Sequence, residues 1–205
     1  MEAILYVETN FVIGIAKGQD SEAVGLPNSL PPQIRIAIPS VCFMEAFSVL
    51  TQESKSRRLF INQMDPHIRE AGRDATSRHA RELQHHLNQA RIEGEALLND
   101  IRYRLHQILG ELATNADLIH PSPAILQVSL AGRFVEDPTD NLILESILDH
   151  ARTHPAEMPK AFSSGNSRDF ARSGEIDDAL SEVGVKYFPR TAAALGWLRS
   201  RVRPD

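Results

Sequence analysis

Short apolar runs alternate with helix-like stretches along the 205 residues of this chain. Residues 3–7, Ala-Ile-Leu-Tyr-Val, form an unbroken apolar run of strand length, as in a strand with both faces buried. Glu8-Thr-Asn10 follows, and Phe-Val-Ile-Gly-Ile-Ala then predicts a helix for which Asn10 can serve as N-cap. Residues 18–33 are rich in Gly, Pro, Ser and Asn and predict a loop. Ile34-Arg-Ile-Ala-Ile38 alternates and predicts a second strand. Pro39-Ser40 stops it, and Ser40 is placed to cap a helix running from Val41 to about Gln52 or beyond.

A long helical stretch is expected over about 66–112. Its second half carries an apolar stripe of Leu83, Leu87, Ala90, Gly94, Leu97, Ile101, Leu105, Ile108 and Leu112, at spacings of mostly three and four. The first half, with Arg69, Arg73, Arg78, Arg81, His79, His85 and His86, is polar nearly all round. This pattern predicts a helical hairpin or arm, with Gly72 and Gly94 as candidate bends. Downstream, 121–134 predicts a helix, and Asp137-Pro138 opens another that runs to about Arg152. Residues 160–163 and 185–188 predict two more strands, with loop and helix between them, and 191–202 a last helix. Strands alternating with helices imply an α/β fold with a parallel sheet. The expected organisation is one domain over 1–205 with a helical insertion at about 66–112.

Composition sharpens this picture in two places. The net charge is −5, but residues 55–104 hold ten Lys/Arg against seven Asp/Glu, so the remainder is strongly acidic. The Arg-rich half of the arm can steer a nucleic-acid backbone or simply be a solvated face. No apolar run approaches the ~18 residues of a membrane span, and the N-terminus carries no secretory pattern. Cys42 is the one cysteine, which excludes an intramolecular disulfide; a cytoplasmic location is expected. Phosphate-loop and dinucleotide-binding glycine motifs are absent, and Glu-Thr-Asn follows the first strand where a haloacid-dehalogenase-type phosphatase needs a nucleophilic Asp.

Four acids then stand out. Glu8 follows the first strand, Glu45 lies in the first turns after the second, Asp140 opens the helix at 137, and Asp169 follows the strand that ends at 163. Sites in open α/β sheets form outside the carboxyl ends of the strands, so all four can converge on one rim. Converging carboxylates repel unless a cation is present, and Mg²⁺ or Mn²⁺ prefers oxygen donors. A metal so held can orient a phosphodiester and activate water. Plainer roles exist for some of these acids. Asp137-Pro-Thr-Asp140 and Asn166-Ser-Arg-Asp169 both suit helix caps. Glu45 sits among apolar neighbours with no nearby Lys or Arg, so it needs another partner. The histidines at 79, 85 and 86 are expected on a solvated surface, and Cys42 in the core.

The fragments resemble the PIN-domain family of metal-dependent nucleases. Ile4-Leu-Tyr-Val-Glu-Thr-Asn10 is similar to its opening strand and acidic-x-Asn signature, and Ile38-Pro-Ser-Val-Cys-Phe-Met-Glu45 to its second acidic segment. Asp137-Pro-Thr-Asp140-Asn-Leu-Ile-Leu-Glu-Ser-Ile-Leu resembles the third, and Ser163-Ser-Gly-Asn166-Ser-Arg-Asp169-Phe170 the fourth. The resemblance covers the body of the chain and not the arm. It implies a three-layer fold with a central parallel sheet flanked by helices, and a Mg²⁺- or Mn²⁺-dependent nuclease acting on RNA before DNA. Glu8, Glu45, Asp140 and Asp169 would hold the metal, with Asn10, Asp137, Ser164 and Asn166 contacting those acids or substrate. Glu8 departs from the pattern, which normally has Asp there; the extra methylene moves the carboxylate by about 1.5 Å. That departure supports the alternative, an inactive PIN-like module that binds nucleic acid or a protein partner. A homodimer through the arm and an antitoxin-like protein partner are the further partners considered; the arm makes the chain longer than is usual for such toxins.

Overall fold

The computed structural model describes residues 2–20, 23, 26, 30–132, 134–166, 170 and 174–202. The chain forms two compact units, Met1–Ala46 with Leu105–Asp205, and Phe47–Arg104.

The first unit is built on a five-stranded, wholly parallel sheet in the order β3-β2-β1-β4-β5. Its strands are β1 (Ala3–Val7), β2 (Ile34–Pro39), β3 (Asp117–Ile119), β4 (Lys160–Ser163) and β5 (Val185–Phe188). All five residues of β1 are buried, as expected for a central strand covered on both faces. The short strand β3 pairs Ala37, Ile38 and Pro39 with Asp117, Leu118 and Ile119; its three residues are too few to show a period, so the sequence pattern does not predict it. Arg35 ties this edge by pairing with Asp117 at 3.0 Å.

The helices of eight residues or more among the described residues are α1 (Thr9–Lys17), α2 (Val41–Arg73), α3 (Arg78–Asn115), α4 (Pro123–Leu130), α5 (Pro138–Arg152), α6 (Gly174–Glu182) and α7 (Thr191–Arg201). In α5, Asp137 caps the first turn and Pro138 takes the first position, as the sequence predicts. The middle of α5, from Ile143 to Leu148, is buried all round, and the helix packs beside β2 and β3. The buried Asn141 accepts from the backbone N–H groups of Phe134 and Val135 and donates to the Ser129 carbonyl, closing the α4–α5 connection. Gly184 leads into β5 with φ +70°, and a side chain there would come within 3.0 Å of the Ala156 carbonyl oxygen.

Within the second unit, the helical stretch starts earlier than expected, and its turn falls beside one of the two candidate glycines. Helix α2 continues unbroken to Arg73, so the helical stretch begins well before residue 66. The turn lies at 74–77, where the Asp74 carboxylate accepts from Thr76 N, Thr76 Oγ1 and Ser77 N. Gly72 is next to that turn; Gly94 is inside α3, where its lack of a side chain leaves room for Ile61. The stripe on α3 holds at Ile101, Leu105, Ile108 and Leu112, which are buried, and fails earlier, where Leu83 and Leu97 are exposed and Leu98 is buried in place of Leu97. The basic and histidine residues of the first half, from Arg69 to His86, are exposed.

Candidate active site

The sheet order places the crevice for a site between β1 and β4, because the chain turns to opposite sides of β1 there. Glu8 leaves the carboxyl end of β1 directly into that crevice and is only 1% exposed. Glu8, not Asn10, is the N-cap of α1: its Oε2 accepts from Asn10 N at 2.7 Å. A carboxylate at the strand end already satisfies the early N–H, so the cap lies two residues before the predicted one. Its other oxygen, Oε1, accepts from Ser164 Oγ at 2.9 Å. One side chain thereby joins the ends of the two adjacent strands.

A hydrogen-bonded line continues from there. Ser164 Oγ accepts from Asn166 N at 3.0 Å, and Asn166 Nδ2 donates to Asp140 Oδ2 at 3.1 Å. Asp137 is exposed, and its Oδ1 accepts from Thr139 N and Asp140 N, which fixes the turn that carries Asp140. Glu45 reaches the same end of the sheet from the first turns of α2, and Thr9 Oγ1 donates to its Oε2. Tyr187 on β5 donates from its hydroxyl to the Ser164 carbonyl at 2.8 Å.

The electrostatics follow from burial and from crowding of like charge. Burial pushes the Glu8 carboxyl up to about 7; the Asn10 N–H and the Ser164 hydroxyl oppose this, and the charges of Asp140 and Glu45 add to it. Glu45 is raised as well, first by burial, with Thr9 opposing and Asp137 adding. Cys42 is fully buried, as expected of a core residue, and burial holds its thiol protonated beside Thr9, Glu8 and Glu45. Tyr187 is pushed up to about 12 by burial, with Glu8 and Asp177 adding to the effect.

Of the eight residues singled out in the sequence, Glu8, Asp140, Ser164 and Asn166 form one connected group, with Glu45 close enough to act on Glu8. Asn10 joins through its backbone, and Asp137 through the backbone of Asp140. Asp169 lies outside the described residues. Thr9 and Tyr187 were not foreseen. Thr9 was detectable as the residue between the first acid and Asn10, whereas Tyr187 becomes visible only once β5 is known to pair with β4. The donors are hard carboxylate oxygens, which suit Mg²⁺ or Mn²⁺ in kind. Among the described residues, however, no three His, Cys, Asp or Glu side chains stand close enough to hold one ion.

A parallel sheet with buried and half-buried acids at its switch crevice defines an α/β protein with an acidic site at the carboxyl ends of its strands. A family model for the PIN domain matches residues 5–170, and the chain belongs to the PIN-domain family. Its fold is the PIN-like α/β fold, and proteins of this family are generally nucleases that depend on divalent metal. No curated protein matches the chain. Among the described residues, no helix is long and apolar enough to cross a membrane.

Proposed function

We propose that this protein is a Mg²⁺- or Mn²⁺-dependent endonuclease that hydrolyses phosphodiester bonds in RNA. The observation that carries this reading is Glu8: a nearly buried carboxylate, at the sheet's switch crevice, held upward in pKa by burial and by the charges of Asp140 and Glu45. A protein gains little stability from such an arrangement, because each buried acid must be neutralised or partnered. A cation offsets that cost. Glu8, Glu45, Asp140 and Asp169 would hold it. When bound, the ion supplies positive charge to phosphate oxygens and raises the acidity of water.

The chain's own residues supply orientation. Ser164 and the Asn10 N–H fix both oxygens of Glu8, Asn166 fixes Asp140, and Thr9 fixes Glu45. Each carboxylate oxygen keeps accepting capacity beyond one hydrogen bond, so these contacts aim the acids without occupying them fully. The test is cleavage of single-stranded RNA with Mn²⁺ added, comparing wild type with Asp140→Asn. The variant is expected to lose at least about 100-fold in rate, the upper end of what loss of even an indirect metal partner costs. Equal rates in both proteins refute the assignment of Asp140, and a wild type inactive on many RNAs refutes catalysis.

One observation favours the rival reading, a binding module without catalysis. Both oxygens of Glu8 already have protein partners, and no three described acids gather around a point. That reading expects RNA binding that survives Asp140→Asn together with no cleavage by wild type.

A further inference from the structure

Beside the acidic crevice lies a second feature at the same edge of the sheet, a cavity of about 320 Å³. Its described lining includes Asn10, Gln19, Asp20, Pro189, Arg190 and Thr191. Its wall meets the acidic site at two places. Asn10 lines the cavity while its backbone N–H holds Glu8, and Ser163 and Gly165 line it on either side of Ser164, the other partner of Glu8. Whatever fills the cavity therefore lies against the residues that hold Glu8.

The chemistry of the wall selects among ligands. The volume falls at the lower end of the ~300–1,000 Å³ of small-molecule sites, ample for one planar heterocycle. Asn10 and Gln19 are exposed amides, each offering a donor and an acceptor side by side, the arrangement that pairs with base edges. Arg190 and Pro189 provide flat surfaces on which an unstacked base can lie. A phosphate suits the cavity less well. The Asp20 carboxylate lines it and is locked there, with Oδ2 accepting from Thr191 Oγ1 at 2.7 Å and Oδ1 from Ala23 N at 3.1 Å. An anion would face that fixed negative charge with Arg190 as the sole cation among the described lining residues, whereas the N–H groups of a base are matched by it.

We propose that this cavity receives one unstacked nucleobase of the RNA and so selects which nucleotide lies at the acidic site. The proposal rests on the nuclease reading above and adds a base-reading pocket to it. The test uses the full chain, isotope-labelled and metal-free, titrated into the millimolar range with each of the four ribonucleoside monophosphates and with ribose phosphate, and followed by amide NMR. Side-chain amides of Asn10 and Gln19 and the backbone amide of Ala192, which also lines the cavity, should shift with nucleotide, one base should bind several-fold more tightly than the rest, and ribose phosphate should leave these signals in place. Gln19→Ala and Arg190→Ala should each weaken nucleotide binding several-fold. Equal shifts with ribose phosphate, or no shift at these amides with any nucleotide, overturns the proposal. RNA cleavage measured in parallel separates the two ideas. Cleavage without nucleotide binding at these amides removes the pocket and keeps the nuclease; nucleotide binding without cleavage of any RNA does the reverse.

Discussion

Replacing Glu8 by Gln should make the metal-free protein more stable at alkaline pH. The glutamine has nearly the same shape and can keep both local contacts, with its carbonyl accepting from Asn10 N and its amide donating to Ser164 Oγ. What it removes is the charge. Glu8 titrates near 4.5 when exposed and near 7 in the folded protein, so between those values the folded state holds a proton that the unfolded state has released. Stability must then fall as pH rises through that window, and the full penalty is present above about pH 7. At about 1.4 kcal/mol per pKa step, the displacement corresponds to about 3 kcal/mol, which relaxation and entering water reduce to about 2.

A change of that size shifts the melting midpoint of a chain this long by roughly 4–8 °C. Thermal melts of both proteins in chelator, run from about pH 4.5 to about pH 8.5, give the comparison. The curves should meet at the acid end and separate steadily toward the alkaline end, with the glutamine variant higher. Mn²⁺ added at the alkaline end should raise the wild type more than the variant, because the variant keeps Glu45 and Asp140 but has lost the most buried of the charges that the ion would relieve. Coincident curves at all pH values would refute the reasoning about charge. A wild type that is the more stable at alkaline pH would mean that its hydrogen bonds outweigh its desolvation.

Other positions test the fold and its register. Asn141→Ala leaves two backbone N–H groups and a carbonyl without their side-chain partner, and should cost about 2–4 kcal/mol in chemical denaturation. Leu98→Ala should lower hydrogen-exchange protection across the 47–104 hairpin by about 2–4 kcal/mol, while Leu97→Ala, one residue away and exposed, should stay within about 0.5; the opposite order would support the stripe through Leu97 that the sequence pattern predicts. Gly184→Ala combines a left-handed backbone with a close approach to the Ala156 carbonyl, and a melting assay should register a loss of about 1–3 kcal/mol.

Much of the sheet was legible because its strands are buried on both faces. Ala3–Val7 has no polar interruption, and Asp137-Pro138 marks the start of α5 by capping chemistry alone. The parts that were not legible depend on tertiary context. Strand β3 is three residues at an edge and carries too little pattern of its own. In α3, leucines stand at both 97 and 98, so a stripe can be drawn through either, and only the partner helix chooses Leu98. Helix α2 continues past Gln52 through a stretch with no apolar period, which local pattern reads as an ending. The acids were legible as types at strand ends and helix starts. Their grouping was not, because it needs the strand order that puts β4 beside β1.

That order also gives a reason for the longer acid at position 8. Glu8 satisfies two partners at once, the Asn10 N–H on its own helix and the Ser164 hydroxyl across the crevice, 156 residues further along the chain. An aspartate on the same backbone would withdraw the carboxylate by about 1.5 Å, more than a 2.7 or 2.9 Å hydrogen bond can absorb, so one partner would be released. The extra methylene is therefore what lets a single side chain cap α1 and tie β1 to the turn after β4. The same span keeps the carboxylate between the two strand ends, where Asp140 and Glu45 act on its charge. The longer acid at this position thus has a structural use, and it keeps its carboxylate in the crevice between β1 and β4.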